Sequence, residues 1–252
     1  MMGLGQAQDS LQKRGESFIL ELMSEIQWAD ILPSYDQMMA VGMHYGRKKT
    51  VFHPKMGPFV YTMKETIHII DLLKTEEKLK ETVEYLKKVK DSGGIILWVA
   101  STKQSEQKIV EIAQQFKMPY IANRWLGGTL TNFKTIRGRI DYFQSIEAKL
   151  ANEVERAKMI KKERVKLEKD YNDMKQKFDG LRSLTKIPDV VFVTSLKEGG
   201  LAVKEAKRVG ATAVAIVNTE SNPALVDYPI PANDNARGSV ELILETIRKG
   251  LI

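Results

Sequence analysis

Five short apolar runs, each between five and eight residues long, alternate with longer stretches of helical period along this chain of 252 residues. They fall at 67–72, 95–100, 119–123, 189–194 and 211–218, and are rich in Ile and Val. A strand that is apolar on successive residues must be covered on both faces. Amphipathic helices lie between most of the runs. One carries Leu79, Val83, Leu86 and Val89, is capped by Thr75 and closes at Gly93-Gly94. The next carries Ile109, Ile112, Ala113 and Phe116 behind Ser101 or Thr102. A third runs from Gly200 to Gly210, and a last one covers 239–249. Short buried strands joined by helical crossovers predict an α/β domain, with a doubly wound parallel five-stranded sheet and right-handed connections.

Residues 135–181 break the alternation, with no Pro and with Gly only at Gly138 and Gly180. Ile136, Ile140, Phe143, Leu150, Val154 and Ala157 fall on one seam, with Glu147 as the exception. Leu167, Tyr171, Met174, Phe178 and Leu181 form a second seam, out of phase with the first. The spacing predicts an antiparallel coiled-coil helical hairpin at 136–181, projecting from the domain and inserted between the third and fourth strands. One long helix lying on the domain is the alternative.

Ahead of the domain, 10–31 reads as a helix with Phe18, Leu22 and Ile26 on one stripe and an acidic opposite face. Pro33 stops it. Ser34 and Gln37 form a capping box for a short helix that ends at Gly42. The expected organisation is a helical extension at 1–31, then an α/β domain at 32–252 interrupted by the hairpin.

The net charge of +7 is unevenly spread. No carboxylate occurs at 42–64, which holds Arg47, Lys48, Lys49, Lys55 and Lys64. None occurs at 112–140, which holds Lys117, Arg124, Lys134, Arg137 and Arg139. The remaining chain sets 29 bases against 32 acids, so the excess charge sits in two windows. Both windows contain Gly, Pro and aromatic residues, the composition of a polyanion-binding surface.

RWLGGTLTNFKTIRGR, at 124–139, couples Arg124 and Trp125 to a glycine pair and then to Lys134, Arg137 and Arg139. Trp125 is either a stacking face or a core residue. The bases read as phosphate contacts, because no acid lies near them in sequence. HYGRKKTVFHPKMGPFVY, at 44–61, is too polar and broken for a helix and reads as an extended ribbon along a backbone. His44 and His53 lack a third ligand at a sensible spacing, so no metal site is expected. His68, inside a strand, reads as a satisfied core histidine.

Other classes find little support. Cys is absent, so there is neither a disulfide framework nor a thiolate site. The N-terminal residues show no signal-peptide pattern, and no apolar run approaches a membrane span. Together with the missing Cys, this suits a cytoplasmic protein. A doubly wound sheet binds ligands at its strand ends, so a flavodoxin-like enzyme or small-ligand binder using 195–200 is the alternative function. Against it, the sequence has no G-x-G-x-x-G after a strand, no Walker A and no G-x-S-x-G. Glu198, Glu220, Asp227 and Asp234 show no pairing that sequence can establish.

Several long motifs occur in a fixed order: GMHYGRKKTVFHPKM, IHIIDLLKT, RWLGGTLTNFKTI, KKE at 161–163, the stretch 188–210, and DYPIPANDNARGS. Across roughly 32–252 the sequence thereby resembles the S-two family of small-subunit ribosomal proteins. The resemblance implies a flavodoxin-like sheet with an inserted coiled-coil hairpin. It implies a non-enzymatic role, binding ribosomal RNA without a cofactor, near the messenger exit side and beside the large protein S-one. The chain departs from the family at Arg47, where His is usual, and at Ser195-Leu196, where Asp-Pro is usual. It departs again at Lys64-Glu65-Thr66, where Arg-Asn-Gly is usual.

Overall fold

The computed structural model describes residues 28, 30–152 and 159–252. The stripe residues Phe18, Leu22 and Ile26, and the seam residues Val154 and Ala157, lie outside the described residues. Trp28 and Asp30 are helical, and Ser34 caps helix α1 (Tyr35–Ala40) by the expected reciprocal box with Gln37.

Eight strands form two sheets among the described residues. β1 (Tyr45–Lys48), β2 (Val60–Lys64) and β3 (Ile67–Ile70) make an antiparallel sheet of order β1-β3-β2. Between β1 and β2 the chain turns through 3₁₀ segments at Lys49–Val51 and Pro54–Phe59. The larger sheet comprises β4 (Ile96–Val99), β5 (Tyr120–Ile121), β6 (Val190–Val193), β7 (Thr212–Val217) and β8 (Tyr228–Pro231). All its pairings are parallel, in the order β5-β4-β6-β7-β8. Counted from β4, this is the order of flavodoxin-like doubly wound sheets, with the switch point between β4 and β6.

Helices cover both faces. α2 (Leu72–Asp91), α3 (Lys103–Gln115) and α7 (Arg237–Gly250) lie over one face; α4 (Phe133–Ala151), α5 (Lys161–Phe178) and α6 (Gly200–Arg208) serve the other. The period of two divides each strand between two cores. Ile96, Trp98, Val190, Phe192, Val214 and Ile216 enter the first. Leu97, Val99, Val191, Val193, Ala213 and Val217 enter the second.

Two strand assignments differ from the sequence reading. The run at 67–72 is not a strand of the parallel sheet; its ordered part is the central strand of the small antiparallel sheet. An isolated β-branched run looks the same in either setting. The fifth parallel strand is instead β8, whose two prolines hid it. Ala232 N–H donates to Val217 O, so Pro229 and Pro231 turn their nitrogens to the open edge, where no ladder donor is needed. The cap of α2 also differs: Asp71, rather than Thr75, accepts from Leu73 N–H at 3.1 Å.

α4 and α5 pack together between β5 and β6. The Phe143 and Tyr171 rings stack with centroids 5.5 Å apart. Glu147, the polar exception in its seam, accepts from Tyr171 O–H at 3.0 Å and is bracketed by Arg182. Hydrogen bonds from Arg182 hold the Glu147 carboxyl below its ordinary pKa, against the opposing effect of burial. The base of the pair is part of the domain, since Ile140, Phe143 and Phe178 belong to the second core.

Candidate nucleic-acid interface

The 124–132 loop follows β5 and is built around a carboxylate from elsewhere in the chain. Glu205 of α6 is 3 % exposed, at a helical position shared with buried Ala202 and Ala206. Its Oε1 accepts from Trp125 Nε1–H at 3.0 Å and Gly128 N–H at 2.8 Å. Its Oε2 accepts from Leu130 N–H at 3.0 Å, and from the backbone N–H and Oγ1–H of Thr131, each at 3.3 Å. Gly128 has a φ of 90°, which its lack of a Cβ allows. Burial opposes the charge on Glu205, but the indole and backbone donors outweigh it and hold the carboxyl below its ordinary pKa. Trp125 is therefore half-buried and spends its N–H on the loop. Arg124 beside it is exposed and has no side-chain partner among the described residues. It lines a crevice of about 730 Å³ at the switch point, together with Lys103 and Glu198.

The other window reaches the same rim of the sheet. Arg47 N–H donates to Thr219 Oγ1 at 2.7 Å, and His53 N–H to Thr219 O at 2.9 Å, just past the end of β7. A Cβ on Gly46 would stand 2.6 Å from Thr219 Cγ2, so glycine permits this approach. The carboxyl ends of five parallel strands span about 19 Å from first to last at the usual strand spacing. The 124–132 loop leaves one end of this rim, and β1 docks beyond β7 toward the other.

The sequence shows no acid near Arg47, yet its guanidinium is held among acids that fold back onto it. Nε lies 2.8 Å from Glu220 Oε1, as an ion pair without in-line hydrogen-bond geometry. Nη2 donates to Asn235 Oδ1 at 2.7 Å and stands 3.6 Å from Asp234 Oδ1. Asp234 is 1 % exposed and also accepts from Ser195 Oγ–H at 2.7 Å and Asn218 Nδ2–H at 2.8 Å. Arg47 thus neutralises a polar cluster that joins β1 to the ends of β6, β7 and β8. Asp227 also has a defined place, accepting from Ala213 N–H at 2.8 Å.

Arg137 is likewise tied down. Its Nη1 donates to Leu184 O at 3.0 Å, and its Nε lies 3.1 Å from Asp141. The other eight cations of the two windows, Lys48, Lys49, Lys55, Lys64, Lys117, Arg124, Lys134 and Arg139, are exposed, and none makes a side-chain ion pair with a described residue. Exposed cations without an ion-pair partner are what phosphate contacts require.

The histidines divide by environment. His53 Nδ1 accepts from Lys55 N–H at 3.2 Å, which caps the second 3₁₀ segment. Burial lowers the pKa of His44. His68 lies in β3 as expected, stacked on Phe52 with centroids 4.3 Å apart, but it is not satisfied: neither buried ring nitrogen has a protein hydrogen-bond partner. No group of three or more His, Asp or Glu suited to a metal ion occurs among the described residues. None of their helices is long and apolar enough to cross a membrane.

The sequence model of the family described as ribosomal protein S2 matches residues 38–252. A small ribosomal subunit protein uS2 of Dictyoglomus thermophilum is 39 % identical over 86 % of this chain and 87 % of its own length. The corresponding protein of Fusobacterium nucleatum is 36 % identical over 87 % of this chain and 89 % of its own. That of Rhodopirellula baltica is 36 % identical over 86 % and 83 %. These relatives are named as ribosomal proteins and not as enzymes, so the enzymatic reading of 195–200 is set aside. With the doubly wound sheet, the motifs in order and the match over 38–252 in agreement, the chain belongs to the ribosomal protein S2 family.

Proposed function

We propose that this chain, as a constituent of the small ribosomal subunit, anchors ribosomal RNA along the carboxyl-end rim of its parallel sheet. The observation that carries this reading is the convergence of the two acid-free windows on one rim, with Lys48, Lys49, Lys55, Arg124, Lys134 and Arg139 among the cations left exposed and without an ion pair among the described residues. Lys48, Lys49, Lys55, Arg124, Lys134 and Arg139 contact phosphates. Arg47, Trp125 and Arg137 act with them mainly by fixing the ribbon, the loop and the start of α4. Phosphate contacts set register and most of the affinity, while sequence discrimination needs other groups. Through these contacts the chain supports subunit assembly and translation.

In this reading the chain is a helical extension at 1–31 and a domain at 32–252. α4 and α5 form a coiled-coil arm at 136–181, whose base is fixed by Phe143 and Phe178. The large protein S-one is one of its neighbours in this reading, as the family resemblance implies. Co-sedimentation tests the core of the proposal. The wild-type chain is expected to travel with the small subunit through a sucrose gradient. A variant with Ala at the six proposed phosphate contacts is expected to remain at the top while keeping its thermal transition. A six-site variant that sediments with the subunit like wild type would overturn the reading.

A further inference from the structure

The small antiparallel sheet has an outer face of which the phosphate reading uses only Lys48. Its register places side chains in two rows. Tyr45, Ile69 and Thr62 lie directly opposite one another, as do Lys48, Ile67 and Lys64. Residues directly opposite in an antiparallel sheet share a face. Ile70 and His68 therefore point the other way, where Ile70 is buried and His68 stacks on Phe52. Ile67 and Ile69 are only partly buried and belong to neither core. Tyr45 is 48 % exposed, and its ring stands against that of His44. Tyr61, at the register shift between Val60 and Thr62, is 76 % exposed. Neither tyrosine hydroxyl has a partner among the described residues.

This face is apolar at its centre and carries one aromatic ring in its rows, with a second, Tyr61, at the register shift of its edge strand β2; its two lysines have no ion pair among the described residues. No carboxylate lies in either outer strand. Glu65, in the β2–β3 turn, is the nearest in sequence. The face is about 10 Å wide across its three strands, and Ile67 and Ile69 stand about 7 Å apart along β3. That is room for two or three bases, as on other sheets that stack unpaired nucleotides on exposed aromatic rings. A duplex keeps its bases stacked inside and cannot present them to such a face.

We propose that the outer face of β1-β3-β2 is a platform for unpaired RNA bases. Tyr45 and Tyr61 stack on them, and Lys48 and Lys64 hold the flanking phosphates. The inference rests on the reading of this chain as an RNA binder and adds the kind of RNA it takes. Positive charge and exposed rings together favour a single strand over a protein partner, because bases stack on rings while the phosphates beside them meet the lysines.

The test uses the full chain and two fluorescein-labelled probes, a single-stranded octaribonucleotide and an RNA duplex of the same sequence. The variants are Tyr45→Ala with Tyr61→Ala, the matching pair to Phe, and Lys48→Ala with Lys64→Ala. Both tyrosines are exposed, so their truncation leaves both cores intact. The Ala pair is expected to weaken single-strand binding about tenfold or more, with the duplex affinity and the salt slope unchanged. The Phe pair is expected to bind like wild type, because the ring is kept. The lysine pair is expected to flatten the salt slope by about 0.7 for each phosphate no longer held. An Ala pair that binds the single strand like wild type overturns the platform, even where the lysine pair still changes the slope. Unchanged RNA binding by the Ala pair, together with reduced incorporation into small subunits, would assign this face to a protein partner instead. Failure of the wild-type chain to bind either probe would overturn the underlying RNA reading.

Discussion

Replacing Glu205 by Gln should destabilise the chain by about 2–3 kcal/mol, and by Ala by about 3–5 kcal/mol, although neither change removes a proposed phosphate contact. The magnitude follows from the five donors that converge on this carboxylate. A hydrogen bond to a charged acceptor contributes about 1.5–3 kcal/mol, and a buried donor left unpaired costs about 1–3 kcal/mol. Leu130 N–H is buried and is left without its partner in the Ala variant. The donors nearer the surface recover water, which keeps the total below the sum. Gln can keep one oxygen toward Trp125 and Gly128 but then points its NH₂ group at the Leu130 and Thr131 N–H groups. Urea unfolding with an unchanged m-value measures both variants. The pH dependence supplies a second check. The folded-state pKa of Glu205 is depressed, so its stabilisation is fully present above the unfolded value near 4.5 and fades as pH falls through the folded value. The difference between wild type and the Gln variant should therefore be constant near pH 7 and shrink below about pH 4.5. A Gln variant as stable as wild type at pH 7 would refute the role given to Glu205. So would a difference that persists unchanged down to about pH 3.

Arg47→Ala should cost about 3–5 kcal/mol in urea unfolding, since it leaves the buried Asp234 without its cation. A cost below about 1 kcal/mol would show that the pairing of Arg47 adds no more than an exposed ion pair does. Phe143→Ala should cost about 3–5 kcal/mol, and excision of 139–179 should broaden the thermal transition, because both remove part of the second core. A sharp, unshifted transition after excision would mean that the arm is independent of the domain. Glu245 is held at about 2, first by hydrogen bonds from Arg248, against burial, and then by Lys108. Glu245→Gln should lower stability by about 1 kcal/mol at pH 7, less in high salt, and should match wild type below about pH 2. An equal loss at all pH values would contradict that pairing.

The layered sheet was legible because four of its strands carry the buried, β-branched pattern that only a covered strand needs. Pro229 and Pro231 concealed the fifth, since proline usually argues against a strand and is tolerated here only at the open edge. The Ile67–Ile70 run gave no sign of which sheet it would join. Acid-free windows are a property of one dimension. They could not show that Glu220 and Asp234, more than 170 residues further along, fold back onto Arg47. Glu205 did leave a trace: a carboxylate on the apolar face of a short helix, between Ala202 and Ala206, needs a buried partner. Trp125 proved to be part of that partner, which is why its role as a stacking face or core residue could not be decided from sequence.

The most direct measurement is the salt dependence of binding to a fragment of small-subunit ribosomal RNA. Wild type is compared with the variant carrying Ala at Lys48, Lys49, Lys55, Arg124, Lys134 and Arg139. With six phosphates no longer neutralised, the slope of log K against log salt should fall by about four units for single-stranded segments and about five for duplex. The folded state should be unchanged, because none of these side chains forms an ion pair within the described domain. A slope equal to that of wild type would mean that the exposed rim does not meet the RNA.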